Sequence, residues 1–252
     1  MTDSSRGPSS ILVDVELPDP APLSPMLIEV LAALRVVLLG WFAVPEQTSP
    51  AQARDQFGDE TQDTLDAVAR RFEEGGGEVT TRLVFTGNKL DTLTRVSTEE
   101  NCDAVLIPGT MDALRRVLVP LRGVENVNQI APLLADLCRD ATATVTLLHV
   151  VEEGETEASA RADVLKPAAA RMRDLGLDSS LLELDALTAD NPADTIVDRA
   201  DAYDLVVLGE TKPSVREILF GTVPERIVKT ADVPIIIVRH RDENVDAAEQ
   251  LL

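Results

Sequence analysis

The sequence predicts an α/β fold with two tandem domains, each an open and mainly parallel sheet covered by helices. Short apolar runs alternate with amphipathic segments, as in parallel sheets that carry helices on both faces. Residues 102–107 (CDAVLI) align with residues 203–208 (YDLVVL), which indicates a repeated domain. A chain of 252 residues with 44% hydrophobic content is long enough for two cores. The predicted domains are residues 9–113 and 114–241, between flexible tails at 1–8 and 242–252.

The first domain is predicted to contain four strands and three helices. Prolines 18, 20 and 22 end the first strand in a stiff loop. Ser24-Pro25 begins the first helix, and Thr48-Ser49-Pro50 caps a long acidic helix that ends at three glycines, 75–77. The predicted strands are 11–17, 36–44, 79–85 and 104–107, and the predicted helices are 24–34, 50–74 and 91–100. The first domain has no room for a fifth strand before Val117.

The second domain is predicted to contain five strands. Val127, Ile130, Leu134 and Leu137 share one face of its first helix. The predicted strands are 117–121, 144–151, 181–184, 205–208 and 234–238. Two further helices are predicted at 155–175, which Pro167 should kink, and at 192–200. A last helix is predicted to begin at Thr222, which caps it; Pro224 lies in its first turn, and Glu225 reaches back to the cap.

Charge excludes several classes of partner. The 44 acidic and 23 basic residues give a formal net charge of -21, which repels nucleic acid and anionic lipid. Such an excess of acid is typical of adaptation to a salt-rich cytoplasm. The sequence contains neither a window of eighteen uncharged apolar residues nor an apolar signal-peptide core at its start. We therefore expect a cytoplasmic protein without membrane insertion.

The loop after the strand at 205–208 is the strongest functional signal. That strand ends at Gly209, and Gly221-Thr222 begins the next helix. A glycine at a strand end followed by a helix N-terminus offers free backbone N–H groups to a phosphate.

This stretch resembles the C-terminal signature of the universal stress protein family, Gly-x-x-Gly, nine residues, then Gly-Ser or Gly-Thr. Gly209 fills the first position and Gly221-Thr222 the last, whereas Lys212-Pro213 stands near the middle glycine and the spacing is one residue short. The resemblance covers nearly the whole chain, with a degenerate first domain. It implies a stress-response or regulatory role and a site for ATP or another adenine nucleotide with Mg²⁺.

The resemblance also implies which residues form that site. Family members that bind nucleotide have an aspartate where this chain has Arg122, which either contacts an anion or pairs with surface acids. Gly209 either supplies a permissive backbone or lets a phosphate approach, and Thr222 is a helix cap or a phosphate ligand. Glu210 opposes a phosphate, and Lys212 offsets it. We therefore expect binding that is weak, altered or absent. The candidate nucleotide-binding residues are Pro120, Leu121, Arg122, Val150, Val151, Gly209, Thr211, Lys212, Gly221, Thr222 and Val223.

Nothing in the sequence specifies a catalytic or metal site. His149 lies in a predicted strand with no nucleophile motif beside it, so we interpret it as structural. Asp190-Asn191-Pro192 is explained by helix capping, and Cys102 and Cys138 lack the spacing of a zinc site or a disulfide framework. Two alternatives stay open: a nucleotide hydrolase or transferase that uses the Gly209 and Gly221 loops, and a regulatory partner of a membrane transporter.

The last predicted strand suggests how the chain associates. In the family the corresponding strand lies at a sheet edge and pairs with a partner. An apolar edge is an aggregation risk when it is left open. We therefore expect a two-fold homodimer through residues Ile235, Ile236, Ile237 and Val238.

Overall fold

A computed structural model describes residues 7–45, 47–139, 142–151, 154–210 and 232–239. Within these ranges the chain forms nine strands in one sheet, with helices on both faces. Residues 1–6 and 242–252, for which we predicted tails, and the helix predicted from Thr222 lie outside the described residues.

The first half begins its helices at capping side chains. Ser49 caps the second helix, at the predicted start, and forms a capping box with Gln52 that we did not predict. The third helix begins two residues before its predicted start, because Asn88 Oδ1 accepts the Asp91 N–H at 3.2 Å and caps it earlier. The elements are β1 Ser10–Leu17, α1 Pro25–Leu31, β2 Arg35–Ala43, α2 Pro50–Glu74, β3 Glu78–Thr86, α3 Lys89–Glu99 and β4 Ala104–Ile107.

The second half contains one helix that differs from its prediction. Residues 155–175 do not form a single kinked helix: a π-helical turn, Arg161–Leu165, separates two α-helical pieces. Pro167 has no N–H and its ring crowds the carbonyl of residue 163, so the turn before it widens. The elements are β5 Arg116–Pro120, α4 Val127–Leu137, β6 Thr144–Val151, α5 Glu157–Ala160, α6 Lys166–Asp174, β7 Leu182–Thr188, α7 Pro192–Ala200, β8 Leu205–Gly209 and β9 Ile235–Val238.

The two halves of the sheet have similar strand orders. The sheet runs β3-β2-β1-β4-β9-β8-β5-β6-β7. Read outward from the centre, the first half is β4-β1-β2-β3 and the second is β9-β8-β5-β6-β7, so both halves wind in the same order once β9 is set aside. Pairing is parallel everywhere except between β4 and β9. The parallel strands of the two halves therefore run in opposite directions, so that the carboxyl ends of one half lie beside the amino ends of the other.

The last strand does not lie at an edge, and that prediction was wrong. β9 pairs antiparallel with β4, from Ala104↔Val238 to Ile107↔Ile235, and parallel with β8. All four of its residues are at most 1% exposed. The first half ends its sheet at β4, and that open edge lies within reach of β9 in the same chain. Strand pairing that we expected between two copies is thus made inside one, and Ile235, Ile236, Ile237 and Val238 offer no free edge to a second copy.

One core spans both halves. On one face of the sheet, α1, α2, α4 and α6 cover a single cluster that includes residues from Ile11 in β1 to Val238 in β9. On the other face, α3 and α7 cover separate clusters. Polar contacts also connect the two halves: buried Asp136 in α4 accepts the Ser9 N–H at 2.9 Å and the Ser9 hydroxyl at 2.7 Å. Arg239, just after β9, donates to the Ser97 carbonyl near the end of α3 at 2.8 Å.

Candidate functional site

The carboxyl ends of β5, β6 and β8 form one edge of the second half. The Leu121 N–H donates to the Leu148 carbonyl at 2.8 Å, which holds the end of β5 against β6. Leu121, Val150 and Val151 are buried, Pro120 and Gly209 are half-buried, and Arg122 is exposed. The remaining candidate residues, Thr211, Lys212, Gly221, Thr222 and Val223, lie outside the described residues.

Asn126 occupies the space in front of Gly209. A Cβ atom added to Gly209 would lie 2.7 Å from both Cβ and Nδ2 of Asn126, which is closer than real Cβ contacts. Asn126 Nδ2 also donates to the Glu210 carbonyl at 2.8 Å. The loop after β5 is therefore tied to the loop after β8 beside Gly209. We did not single out Asn126 from the sequence, although its position directly before Val127, at a helix start, is a signal that could have marked it.

Two glutamates lie in the loops that this contact joins. Glu210 is 2% exposed, and its N–H donates to the Val238 carbonyl at 2.8 Å. The Glu125 carboxylate lies against Gly123 and fills the space that a side chain there would need. A buried Glu210 and an exposed Glu125 thus add negative charge near these two loops.

His149 connects β6 with the ends of two other elements. Its Nδ1 lies 2.8 Å from the Leu121 carbonyl, and its Nε2 lies 2.9 Å from the Glu155 carboxylate, two residues before α5. Both partners accept hydrogen bonds, so the imidazole satisfies both when each ring nitrogen carries a proton. This 3% exposed side chain is built into the fold and positions the end of β5.

The other chemical candidates have structural explanations. Asn191 Oδ1 accepts the N–H groups of Ala193 and Asp194, so Asp190-Asn191-Pro192 is a helix cap as predicted. Burial raises the pKa of Cys102 and of Cys138 to about 11, which disfavours the thiolate that a nucleophile needs. Across the described ranges, no three His, Cys, Asp or Glu side chains are grouped to hold a metal ion. No helix there has the length and apolar character that crossing a membrane requires.

Comparison with known proteins gives a family match. The model of the universal stress protein family matches residues 113–239, which begin just before β5 and end just after β9. No curated protein sequence matches the chain.

Solved structures resemble the chain over nearly its whole length. A universal stress protein from Archaeoglobus fulgidus superimposes with a TM-score of 0.65 and 14% identity, over 93% of this chain and 97% of that one. A functionally unknown protein from Pseudomonas aeruginosa gives a TM-score of 0.56 and 15% identity, over 97% and 96%. At these identities the likeness shows the fold. A universal stress protein from Archaeoglobus fulgidus in complex with dAMP covers 51% of this chain at 22% identity, with a TM-score of 0.39 that carries no argument for the site.

Proposed function

The chain belongs to the universal stress protein family, and we propose that it is a regulatory stress-response protein whose adenine-nucleotide-type site has been altered so that nucleotide binds weakly or not at all. The site in question lies at the carboxyl ends of β5, β6 and β8, in the half that the family model matches. Carboxyl ends of strands are where open α/β sheets hold ligands. In this chain the Asn126 side chain occupies the space beside Gly209 at that edge.

The contact between Asn126 and Gly209 is the observation that carries the proposal. A glycine at this position permits a ligand to come close to the backbone, but the Asn126 side chain already fills that space. To admit a phosphate, Asn126 must leave and give up its 2.8 Å hydrogen bond to the Glu210 carbonyl. A ligand that has to break protein contacts before it binds loses affinity by the free energy of those contacts.

Charge supports the same conclusion. Glu125 and Glu210 lie beside the loops, while Arg122 replaces a family aspartate that would accept hydrogen bonds from the nucleoside. A guanidinium has donors but no acceptor, so it cannot make those bonds. The histidine and carboxylate pair at this edge, His149 and Glu155, is used in contacts within the fold, with the His149 side chain only 3% exposed. We propose that the protein acts through its partners and not through turnover.

Native mass spectrometry of the full chain tests this proposal. Protein purified in high salt would be measured intact, then denatured and extracted to identify any bound nucleotide. We expect the mass of the bare polypeptide and no stoichiometric adenine nucleotide in the extract. A co-purified adenine nucleotide at one equivalent per chain would contradict the proposal, since it would show that the altered loops still hold phosphate tightly.

A further inference from the structure

A groove between α6 and the start of β7 lies outside the site of the proposed function. Its volume is about 360 Å³, within the range of small-molecule sites. It is lined by Lys166, Ala169, Arg173, Ser179, Leu182 and Leu184. We propose that this groove binds a small amphiphilic anion, one with a carboxylate, sulfonate or phosphate head and an apolar body.

The charge of the lining is the first reason. In a chain with 44 acidic and 23 basic residues, this groove presents two cations and no acid. No described residue forms an ion pair with the Lys166 ammonium, and Arg173 donates only through Nε, to the Ala169 carbonyl at 3.3 Å. The two charged groups are thus available to an anion.

The neighbouring acids do not neutralise these cations. Asp178 accepts the Ser180 N–H at 2.8 Å, which lowers its pKa and keeps it ionised, but it forms no ion pair with Lys166 or Arg173 among the described residues. Glu183 projects to the opposite face of β7 from its two neighbours and accepts the Thr146 hydroxyl at 3.2 Å. The lining of the groove therefore carries two positive charges and no carboxylate.

The floor of the groove is apolar. Leu182 and Leu184 point to the same face of β7 and pack, half-buried, against the main core, beside buried Ala169. Apolar surface that remains partly exposed favours a ligand with a hydrocarbon or aromatic portion. The Ser179 hydroxyl at the rim can donate to the head group.

The structure favours a small molecule over an added peptide strand. β7 is an edge strand and could in principle pair with an extended peptide. Arg161 Nη1, however, donates to the Leu184 carbonyl at 2.6 Å and occupies an acceptor that such a peptide would need. Arg161 also brings a third cation to this edge.

The groove is independent of the nucleotide-type site. Leu182 and Leu184 lie near the amino end of β7, whereas the altered site lies at the carboxyl ends of its neighbours. An experiment that contradicts one of the two proposals therefore leaves the other intact.

A fluorescent anion with an apolar body, 8-anilinonaphthalene-1-sulfonate, is the probe. Titrated into the full chain, it should bind saturably and be displaced by decanoate but not by inorganic phosphate at the same concentration. Lys166→Glu and Arg173→Glu should each weaken binding by about tenfold or more, because each reverses a charge that faces the head group. Arg171→Glu, on the exposed face of the same helix, makes the same change in net charge and should stay within about twofold.

Three results would overturn the proposal. One is binding that does not saturate. Another is an equal loss in all three charge variants, which would indicate a response to overall charge. The third is displacement by phosphate as effective as by decanoate, which would show that the apolar floor plays no part. Circular dichroism on each variant confirms that the titrations compare folded proteins.

Discussion

Gly209 lies at the carboxyl end of β8, with the Asn126 side chain against it. Its φ does not fall in the left-handed region that favours glycine. Among the described glycines, Gly76, Gly154 and Gly176 have φ values in that region. The residue is therefore required here for the space it leaves and not for backbone freedom. From the sequence we predicted that Gly209 either supplies a permissive backbone or lets a phosphate approach. A local sequence pattern cannot show a contact with a side chain 83 positions away, so the packing against Asn126 was missed.

Gly209→Ala tests this residue directly. The added Cβ would overlap Asn126, so we expect a loss of about 1–3 kcal/mol in the free energy of unfolding, as for other overpacked sites. Urea denaturation followed by circular dichroism measures it. Gly58→Ala is the matched control: Gly58 lies inside α2 with only the flexible Arg54 side chain near, so this change should stabilise the protein by about 0.5–1 kcal/mol. Equal effects of the two substitutions would contradict the packing explanation.

At the scale of elements, the sequence predicted what local chemistry controls. The strands at 104–107 and 144–151 and the helix at 192–200 have the bounds that we predicted, since apolar runs and caps define them. The π-helical turn before Pro167 was not predicted, because it depends on how the chain relieves the crowding that proline causes. β7 is longer than predicted, since its continuation to Thr188 is stabilised by pairing with Leu148–Val151 of β6 and not by its own apolar pattern.

The start of α2 gives an element-scale prediction. Ser49 Oγ accepts the Gln52 N–H at 3.2 Å, and Gln52 Oε1 accepts the Ser49 N–H at 3.3 Å. Ser49→Ala leaves these backbone groups without their partners and should lower the free energy of unfolding by about 0.5–2 kcal/mol. Thr48→Ala, one residue earlier and outside the capping box, should change it by less than about 0.5 kcal/mol. A Ser49→Ala variant as stable as the Thr48→Ala variant would show that the cap does not stabilise the helix.

At the scale of the whole molecule, β9 joins the two halves into one sheet. Asp136 with Ser9 and Arg239 with Ser97 make further contacts between the halves. The repeat could be read from aligned segments of sequence, but the partner of β9 could not. Its apolar residues fit any buried strand, and pairing residue 104 with residue 238 depends on where the first half leaves its edge open.

A disulfide can test this join. Leu106 and Ile236 face each other across the antiparallel pair, so the double variant Leu106→Cys, Ile236→Cys should oxidise to a bond within one chain. We expect a product of monomer mass on a non-reducing gel, with the two peptides linked in its digest. The single variants, which keep Cys102 and Cys138, should give no such linked peptide. A covalent dimer as the main product would show that β9 pairs between chains, as the sequence alone suggested.

The central claim is that Asn126 closes a nucleotide-type site, and calorimetric titration with ATP and Mg²⁺ tests it most directly. For the wild-type chain we predict a dissociation constant of about 1 mM or weaker. Asn126→Ala, which empties the space beside Gly209 and removes no helix-cap hydrogen bond, should bind about tenfold more tightly. Asn128→Ala, exposed on the same helix, should behave as wild type. Micromolar, stoichiometric binding by wild type that Asn126→Ala leaves unchanged would contradict the claim.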